Sequence, residues 1–147
     1  MKLSESEART LLSQSSHGVL ATVHPTRGVD AVPVVFALDG GYIAIPIDTV
    51  KPKSATRLQR ERNLEHDPRA TLLVEHWDAD DWSQLWWARA ELRWESNPDT
   101  TVLSTLVDAL AVNFPQYQDR RFLTVLILRV VTMSGWSATL RTPPPPA

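Results

Sequence analysis

The stretch that decides the fold is Tyr42–Trp77, YIAIPIDTVKPKSATRLQRERNLEHDPRATLLVEHW. It opens with an apolar strand, Tyr42 to Ile47, and breaks into the basic loop TVKPKS. A helix that Ser54 can cap then runs to about His66. It ends at Asp67-Pro68, because a residue before proline avoids helical geometry. Ala70 to Trp77 reads as the next strand. Six of the fifteen Lys and Arg residues lie here: Lys51, Lys53, Arg57, Arg60, Arg62 and Arg69. Two lysines flanking Pro52, where a strand gives way to a helix, suit an anion. Lysine supplies point charge, and the free N–H groups and positive end of the helix add to it. A solvated basic helix face has the same composition, so the flanking segments must decide between the two.

Upstream, Ser4 followed by Glu7 is a capping-box pattern, and Ala8, Leu11 and Leu12 give the helix Ser4–Gln14 a narrow apolar stripe. GVLATVH after His17 is a strand ended by Pro25, and Val29 to Leu38 (VDAVPVVFAL) is a second. Asp39-Gly40-Gly41 is a hairpin signal leading into Tyr42. Three strands joined by short turns predict an antiparallel meander. Downstream, DADDWSQ is a solvated turn. Leu85 to Glu95 is a fifth strand, with Trp86, Ala88, Ala90, Leu92 and Trp94 on one face and Trp87, Arg89, Glu91, Arg93 and Glu95 on the other. Asn97-Pro98-Asp99 precedes a helix over about Thr100–Val112, with Val102, Leu103, Leu106, Val107, Leu110 and Ala111 at helical period. Leu123 to Met133 is a sixth strand, and TPPPPA follows near the end. The expected architecture is mainly β with helices: a six-stranded antiparallel β-barrel with helical covers. It occupies one domain over residues 1–138, and the Pro-rich segment 139–147 is expected to be disordered.

A chain of 147 residues with 43% hydrophobic and 22% charged residues can bury a core as one soluble domain. A formal charge of −2 lacks the basic footprint of general nucleic-acid binding. No apolar run reaches the roughly 18 residues of a membrane span, and MKLSESEARTLL has no apolar signal core. The reading is a cytoplasmic protein without stable membrane insertion. Without cysteine there is no disulfide framework, thiolate nucleophile or Cys-ligated metal. The histidines His17, His24, His66 and His76 share no metal-ligand spacing. Asp78, Asp80 and Asp81 lack the glycine and distal glutamate of a calcium loop. No GxGxxG, P-loop or GxSxG pattern occurs. Any chemistry therefore belongs to a bound cofactor, with the protein supplying binding and orientation. Six tryptophans stand out, four of them between Trp77 and Trp87. Tryptophan fills cores and interfaces, and this density suits an oligomer interface or an aromatic ligand wall as well.

The ordered set HGVLATVH, VDAVPVVFALDG, YIAIPID and KPKSATRLQRERNLEHDPRATLLVEHW resembles the pyridoxamine-phosphate-oxidase-like, FMN-binding split β-barrel superfamily. Arg62, Asn63, Leu64, Asp67, Pro68 and Arg69 at the helix end carry much of it. WSQLWWAR (Trp82 to Arg89) narrows the likeness to actinobacterial flavin/deazaflavin oxidoreductases that use coenzyme F420. The resemblance covers about residues 5–138. It implies a homodimer with cofactor grooves between subunits and a small-molecule acceptor as substrate. It implies that Ile45, Pro46, Ile47 and Asp48 line the cofactor ring edge, and that Pro33 and Val34 lie near the ring. Lys51, Lys53 and Arg57 would meet the phosphate. Trp77, Trp87 and Trp136 would form a partner-side wall, and Arg89 would contact a carboxylate or phosphate. No side chain is implied as a catalytic acid, base or nucleophile. Tight FMN binders often carry an Arg and a Ser or Thr in the third strand and following loop. Here the strand is YIAIPI with only Thr49 and Ser54 nearby, which favours F420 over FMN. The implied activity is hydride transfer from F420H2 to an activated double bond or quinone-like acceptor. An FMN-binding oxidoreductase or a non-catalytic F420 carrier is the alternative. A haem-utilisation barrel would want a ligand histidine, and His17, His24 and His76 are unpaired.

Overall fold

Ser4 closes the capping box that its spacing predicts: its Oγ accepts from Glu7 N at 3.1 Å, and Glu7 Oε1 accepts from Ser4 N at 3.0 Å. These bonds start α1, Glu5–Ser13, which buries Ala8, Leu11 and Leu12. The computed structural model describes residues 1–48, 58–118 and 123–139. The expected phosphate contacts Lys51, Lys53 and Arg57, together with Thr49, Ser54 and residues 140–147, lie outside that set. The helix expected to start at Ser54 starts instead at Gln59: its N-cap is Leu58, in extended backbone, whose N–H donates to Glu61 Oε1 at 3.1 Å.

Among the described residues seven strands follow α1, one more than the sequence predicts: β1 His17–His24, β2 Gly28–Val35, β3 Ala37–Asp39, β4 Tyr42–Asp48, β5 Arg69–His76, β6 Trp86–Trp94 and β7 Leu123–Ser137. Two further helices are α2, Gln59–His66, and α3, Thr100–Asn113. The strands form one antiparallel sheet in the order β2-β1-β5-β6-β7-β4-β3. The extra strand comes from the segment read as one run from Val29 to Leu38. It splits at Phe36, because β2 pairs with β1 at one sheet edge while β3 pairs with β4 at the other. One residue spans at most about 7 Å between its neighbours' Cα atoms, so the two edges meet and the sheet curls into a barrel. Phe36 is fully buried at this junction, and its N–H donates to Ser16 O at 3.1 Å. The turns are those the sequence marks, with Gly28 (φ 97°) and Gly40 (φ 58°) in the left-handed region that glycine enters without steric cost.

The barrel interior holds Leu20, Phe36, Ile43, Ile45, Leu72, Ala88, Ala90, Leu92 and Leu128 beneath α1. A second cluster packs α3, through Leu106 and Leu110, against Ala37, Ala44 and Ile127. Buried Asn63 fastens α2 to the first hairpin. Its Nδ2 donates to Thr22 Oγ1 at 3.0 Å and Asp30 Oδ2 at 2.8 Å, and its Oδ1 accepts from Gln59 at 2.9 Å. β7 is the longest strand, and β4 accompanies only its first half. Met1–Leu3 covers the other half, Leu3 N donating to Gly135 O and Ser137 N to Met1 O, which protects an otherwise open edge. Between Thr132 and Val130 the pairing of β7 with β6 shifts register and leaves out Val131, a bulge that bends the strand.

Candidate functional site

Strand alternation sorts the expected site residues onto two surfaces. On β6 the even positions Ala88, Ala90 and Leu92 are buried, so Trp87, Arg89, Glu91 and Arg93 face outward, as the period of two requires. Trp87 stands opposite Trp136 in the β6–β7 ladder. Arg89 lies with its guanidinium carbon 5.0 Å from the Trp87 ring centroid, and its Nε donates to Ser134 Oγ at 3.3 Å. A groove of about 420 Å³ runs here, lined by Leu73, Glu75, Leu85, Trp87 and Arg89. One cross-strand row on this outer face reads Pro33, Val19, Leu73, Arg89, Ser134. Pro33 therefore shares the face with Arg89, three strand spacings or roughly 14 Å away.

Ile45 and Ile47 do not share it. Their side chains enter the barrel core, as does that of Val34, so their contribution to a ligand is limited to main chain. Pro46 is buried on the opposite side of β4, paired with Val125, and Asp48 ends the strand opposite Leu123. The β3–β4 ladder stops at Ala44. Over Ile45–Asp48 the described strand partner of β4 is β7, on one side only. Ile45 pairs with Leu126, whereas Trp87 pairs with Trp136 near the other end of β7. The two groups are roughly 30 Å apart along that strand at about 3.3 Å per residue. One subunit does not bring them together. Trp77 sits apart from both, exposed at the β5–β6 turn against Trp82 with ring centroids 6.4 Å apart.

The electrostatics single out a residue that the sequence reading places only within the basic run. Arg60 Nε on α2 is buried without a hydrogen-bond partner among the described residues, and burial pulls the Arg60 pKa below its ordinary value. A buried guanidinium nitrogen without an acceptor is costly and suits an anion. The neighbouring Glu61 carboxylate acts in the opposite direction but less strongly. Beyond the helix end, Arg69 holds the Asp67 carboxyl down at about 2 through a side-chain hydrogen bond, with Nη2 2.6 Å from Oδ2. Leu73 and Ser134 were also missed as site residues. The alternation of β5 marks Leu73 as outward-facing beside Arg69, Thr71 and Glu75, whereas its place next to Arg89, and that of Ser134, comes from strand pairing. His24 Nδ1 accepts from Thr26 N and Arg27 N, both at 3.1 Å. His76 stacks on Trp86 at 6.2 Å. Among the described residues no group of three His, Cys, Asp or Glu side chains could hold a metal ion, and no helix is long and apolar enough to cross a membrane.

The family model for pyridoxamine 5'-phosphate oxidase matches residues 4–137. The chain belongs to that family. Solved structures share the split-barrel fold along nearly the whole chain. A conserved hypothetical protein from Mycobacterium tuberculosis aligns with a TM-score of 0.70 at 21% identity, covering 99% of this chain and 93% of that one. A FAD-binding protein from Mesorhizobium loti gives 0.67 at 14% identity, over 92% and 93%. A heme binding protein from Mycobacterium smegmatis gives 0.61 at 24% identity, over 90% of this chain and 57% of that one. At such identities the likeness is one of fold. No curated protein matches the sequence. Within the pyridoxamine 5'-phosphate oxidase family, chemistry has to be argued from this chain's own outer face and β4 edge.

Proposed function

We propose that the protein is a cytoplasmic, homodimeric oxidoreductase that binds coenzyme F420 and reduces an activated double bond or quinone-like acceptor. The observation that carries this reading is the family match over residues 4–137, laid over a groove walled by Trp87 and Arg89. When bound, the reduced deazaflavin would supply the hydride. The chain's own work is placement. Trp87 and Trp136 offer aromatic surface for a planar ring, and Arg89, steered by Trp87 and Ser134, offers a fixed guanidinium to an anionic group. The β4 edge at Ile45–Asp48 offers main-chain groups to the ring's polar rim. Lys51, Lys53, Arg57 and the unpartnered Arg60 Nε favour a phosphate. Because the β4 edge and the tryptophan pair are far apart in one chain, the reading requires a second subunit to complete each groove. Proximity and exclusion of water are then the protein's contributions.

A flavin nucleotide in place of F420 is the second reading, favoured by the FAD-binding proteins among the structural neighbours. Parallel titrations with F420, FMN and FAD distinguish the two. Stopped-flow oxidation of the bound reduced cofactor by quinone and enone acceptors separates an enzyme from a carrier. Micromolar F420 binding with turnover is the expected result. Failure of all three cofactors to bind would end the proposal, and binding without turnover by any acceptor would leave a carrier.

A further inference from the structure

Trp136 stands opposite Trp87 on one side and opposite Lys2 on the other. The bridge to Lys2 is closed by Leu3 N donating to Gly135 O at 2.9 Å and Ser137 N donating to Met1 O at 3.0 Å. Bonds on the flanking residues make Lys2 and Trp136 a non-hydrogen-bonded antiparallel pair, with Cα atoms about 4.5 Å apart and side chains on one face. Leu3, the next residue, turns into the core beside Gly135, so alternation sends Lys2 outward with Trp136. On the far side, Glu75 is opposite Trp87. One row across the outer face therefore reads Glu75, Trp87, Trp136, Lys2. It runs from a carboxylate over two aromatic rings to an ammonium, three strand spacings or roughly 14 Å from end to end.

Among the described residues neither terminal charge of this row makes a hydrogen bond or ion pair. The charged groups around them are occupied or turned away. Arg89, in the adjoining row, is held by Trp87 and Ser134, and Glu91 accepts from Thr132. His76 lies on the other face of β5 against Trp86, and the Met1 nitrogen donates to Ser137 O. A row with two free opposite charges and an aromatic middle has a direction. Its complement is a flat ring system with an N–H donor at one end and an anion at the other. We propose that this row sets the direction of the deazaflavin ring and selects it over flavin, with the acidic 8-hydroxyl at Lys2 and the N–H of the pyrimidine ring at Glu75. The inference rests on the F420 reading above and adds Lys2 and Glu75 to its site. The 8-hydroxyl is conjugated through the ring and gives up its proton readily, whereas flavin carries a methyl group at that position. An ammonium gains a charge-assisted hydrogen bond from the phenolate. It gains nothing from the methyl group, whose approach strips it of water. The reversed ring would press the phenolate toward Glu75, like charge on like. Glu75 meets an N–H that both ring systems possess, so it adds affinity without choosing between them.

Bound F420 reports its own charge, because the phenol and phenolate forms absorb at different wavelengths. Absorbance titration of the complex from neutral to weakly acidic pH should place the ring's ionisation at least about one pH unit below that of free F420, as a nearby cation lowers an acid's pKa. Lys2→Gln should return it to the free value or above. The same variant should weaken F420 binding about tenfold and leave FMN binding unchanged. Lys2→Arg should keep most of the shift. Glu75→Gln should weaken F420 and FMN alike and leave the ring's ionisation where it is in the parent. Both side chains are exposed, so melting temperatures should move little, and calorimetric titration gives the affinities. If Lys2→Gln leaves the ionisation unchanged, or Glu75→Gln moves it instead, the proposed direction is wrong while F420 binding stands. An equal loss of F420 and FMN affinity in Lys2→Gln would refute the selection in the same way. A parent that binds no F420 overturns both the functional reading and this assignment.

Discussion

Arg89 lies against the face of Trp87, its guanidinium carbon 5.0 Å from the ring centroid, while its Nε donates to Ser134. Two anchors hold an exposed cation in one orientation, which reduces the entropy that a ligand must remove on binding. Arg89→Ala is predicted to weaken F420 binding by about 1–2 kcal/mol, the loss of a charge-assisted hydrogen bond in a partly exposed setting. Arg89→Lys should recover part of that loss, keeping the charge without the planar fork. Folding stability should stay within about 0.5 kcal/mol, as for most surface substitutions. Calorimetric titration beside thermal melting reads both. Unchanged affinity in Arg89→Ala would remove this residue from the site.

Lys51 and Lys53 test whether the basic loop is a phosphate site or a solvated face. Their joint replacement by Ala should cost about 2–4 kcal/mol of F420 affinity, from charge-assisted hydrogen bonds of roughly 1.5–3 kcal/mol each that do not add fully. Lysine ion pairs at protein surfaces stabilise folds little in general, so melting should barely move. A double variant that binds as the parent does favours the solvated face.

Gly135 and Gly18 are needed for close approach between strands. A Cβ on Gly135 would lie 2.7 Å from Trp87 O and 3.0 Å from Leu3 Cδ1, and one on Gly18 would lie 2.5 Å from Leu73 O. Overpacking against backbone costs about 1–3 kcal/mol, so Gly135→Ala and Gly18→Ala should each lower the melting temperature by several degrees. Gly135→Ala carries a second expectation, since the atom it strikes belongs to Trp87: F420 affinity should fall beyond what the stability loss explains. Urea unfolding and titration of the same preparation separate the two effects.

Much of this was legible in the sequence because local chemistry and tertiary structure agree. The Ser4–Glu7 cap, the glycine turn at Asp39-Gly40-Gly41 and the two faces of β6 are written in spacing alone. The break at Phe36 was not, because VDAVPVVFAL alternates without a turn residue. What divides it is the closure of the barrel, a property of strand partners far apart in sequence. The candidate site was legible only in part for a related reason. Apolar YIAIPI suggests a ligand wall, yet strand period and curl send Ile45 and Ile47 into the core. Leu73 and Ser134 join the face of Arg89 through pairings that no local signal predicts.

Asp67 gives a prediction in pH. Asp67 is the C-cap of α2, and its carboxyl accepts from both the Arg69 side chain and the Arg69 N–H, which lower its pKa from 3.8 to about 2. A carboxylate whose folded pKa lies below its unfolded value stabilises the fold above the unfolded pKa. That contribution is lost as pH falls through the folded one. The Asp67 contribution should therefore be complete at neutral pH and disappear between about pH 4 and pH 2. Asp67→Asn keeps an oxygen for the Arg69 N–H but loses the charge, so it should melt below the parent at pH 7. The gap should narrow across that acid window and close at its lower end. Asp30, whose pKa is lowered chiefly by its hydrogen bond from Asn63 and then by Arg27, adds a slope of the same sign that persists in the Asp67 variant. Thermal melts of both proteins from pH 7 to pH 2 at fixed salt measure the difference directly. A gap that stays constant through pH 4 to 2 would show that Asp67 acts by shape rather than charge.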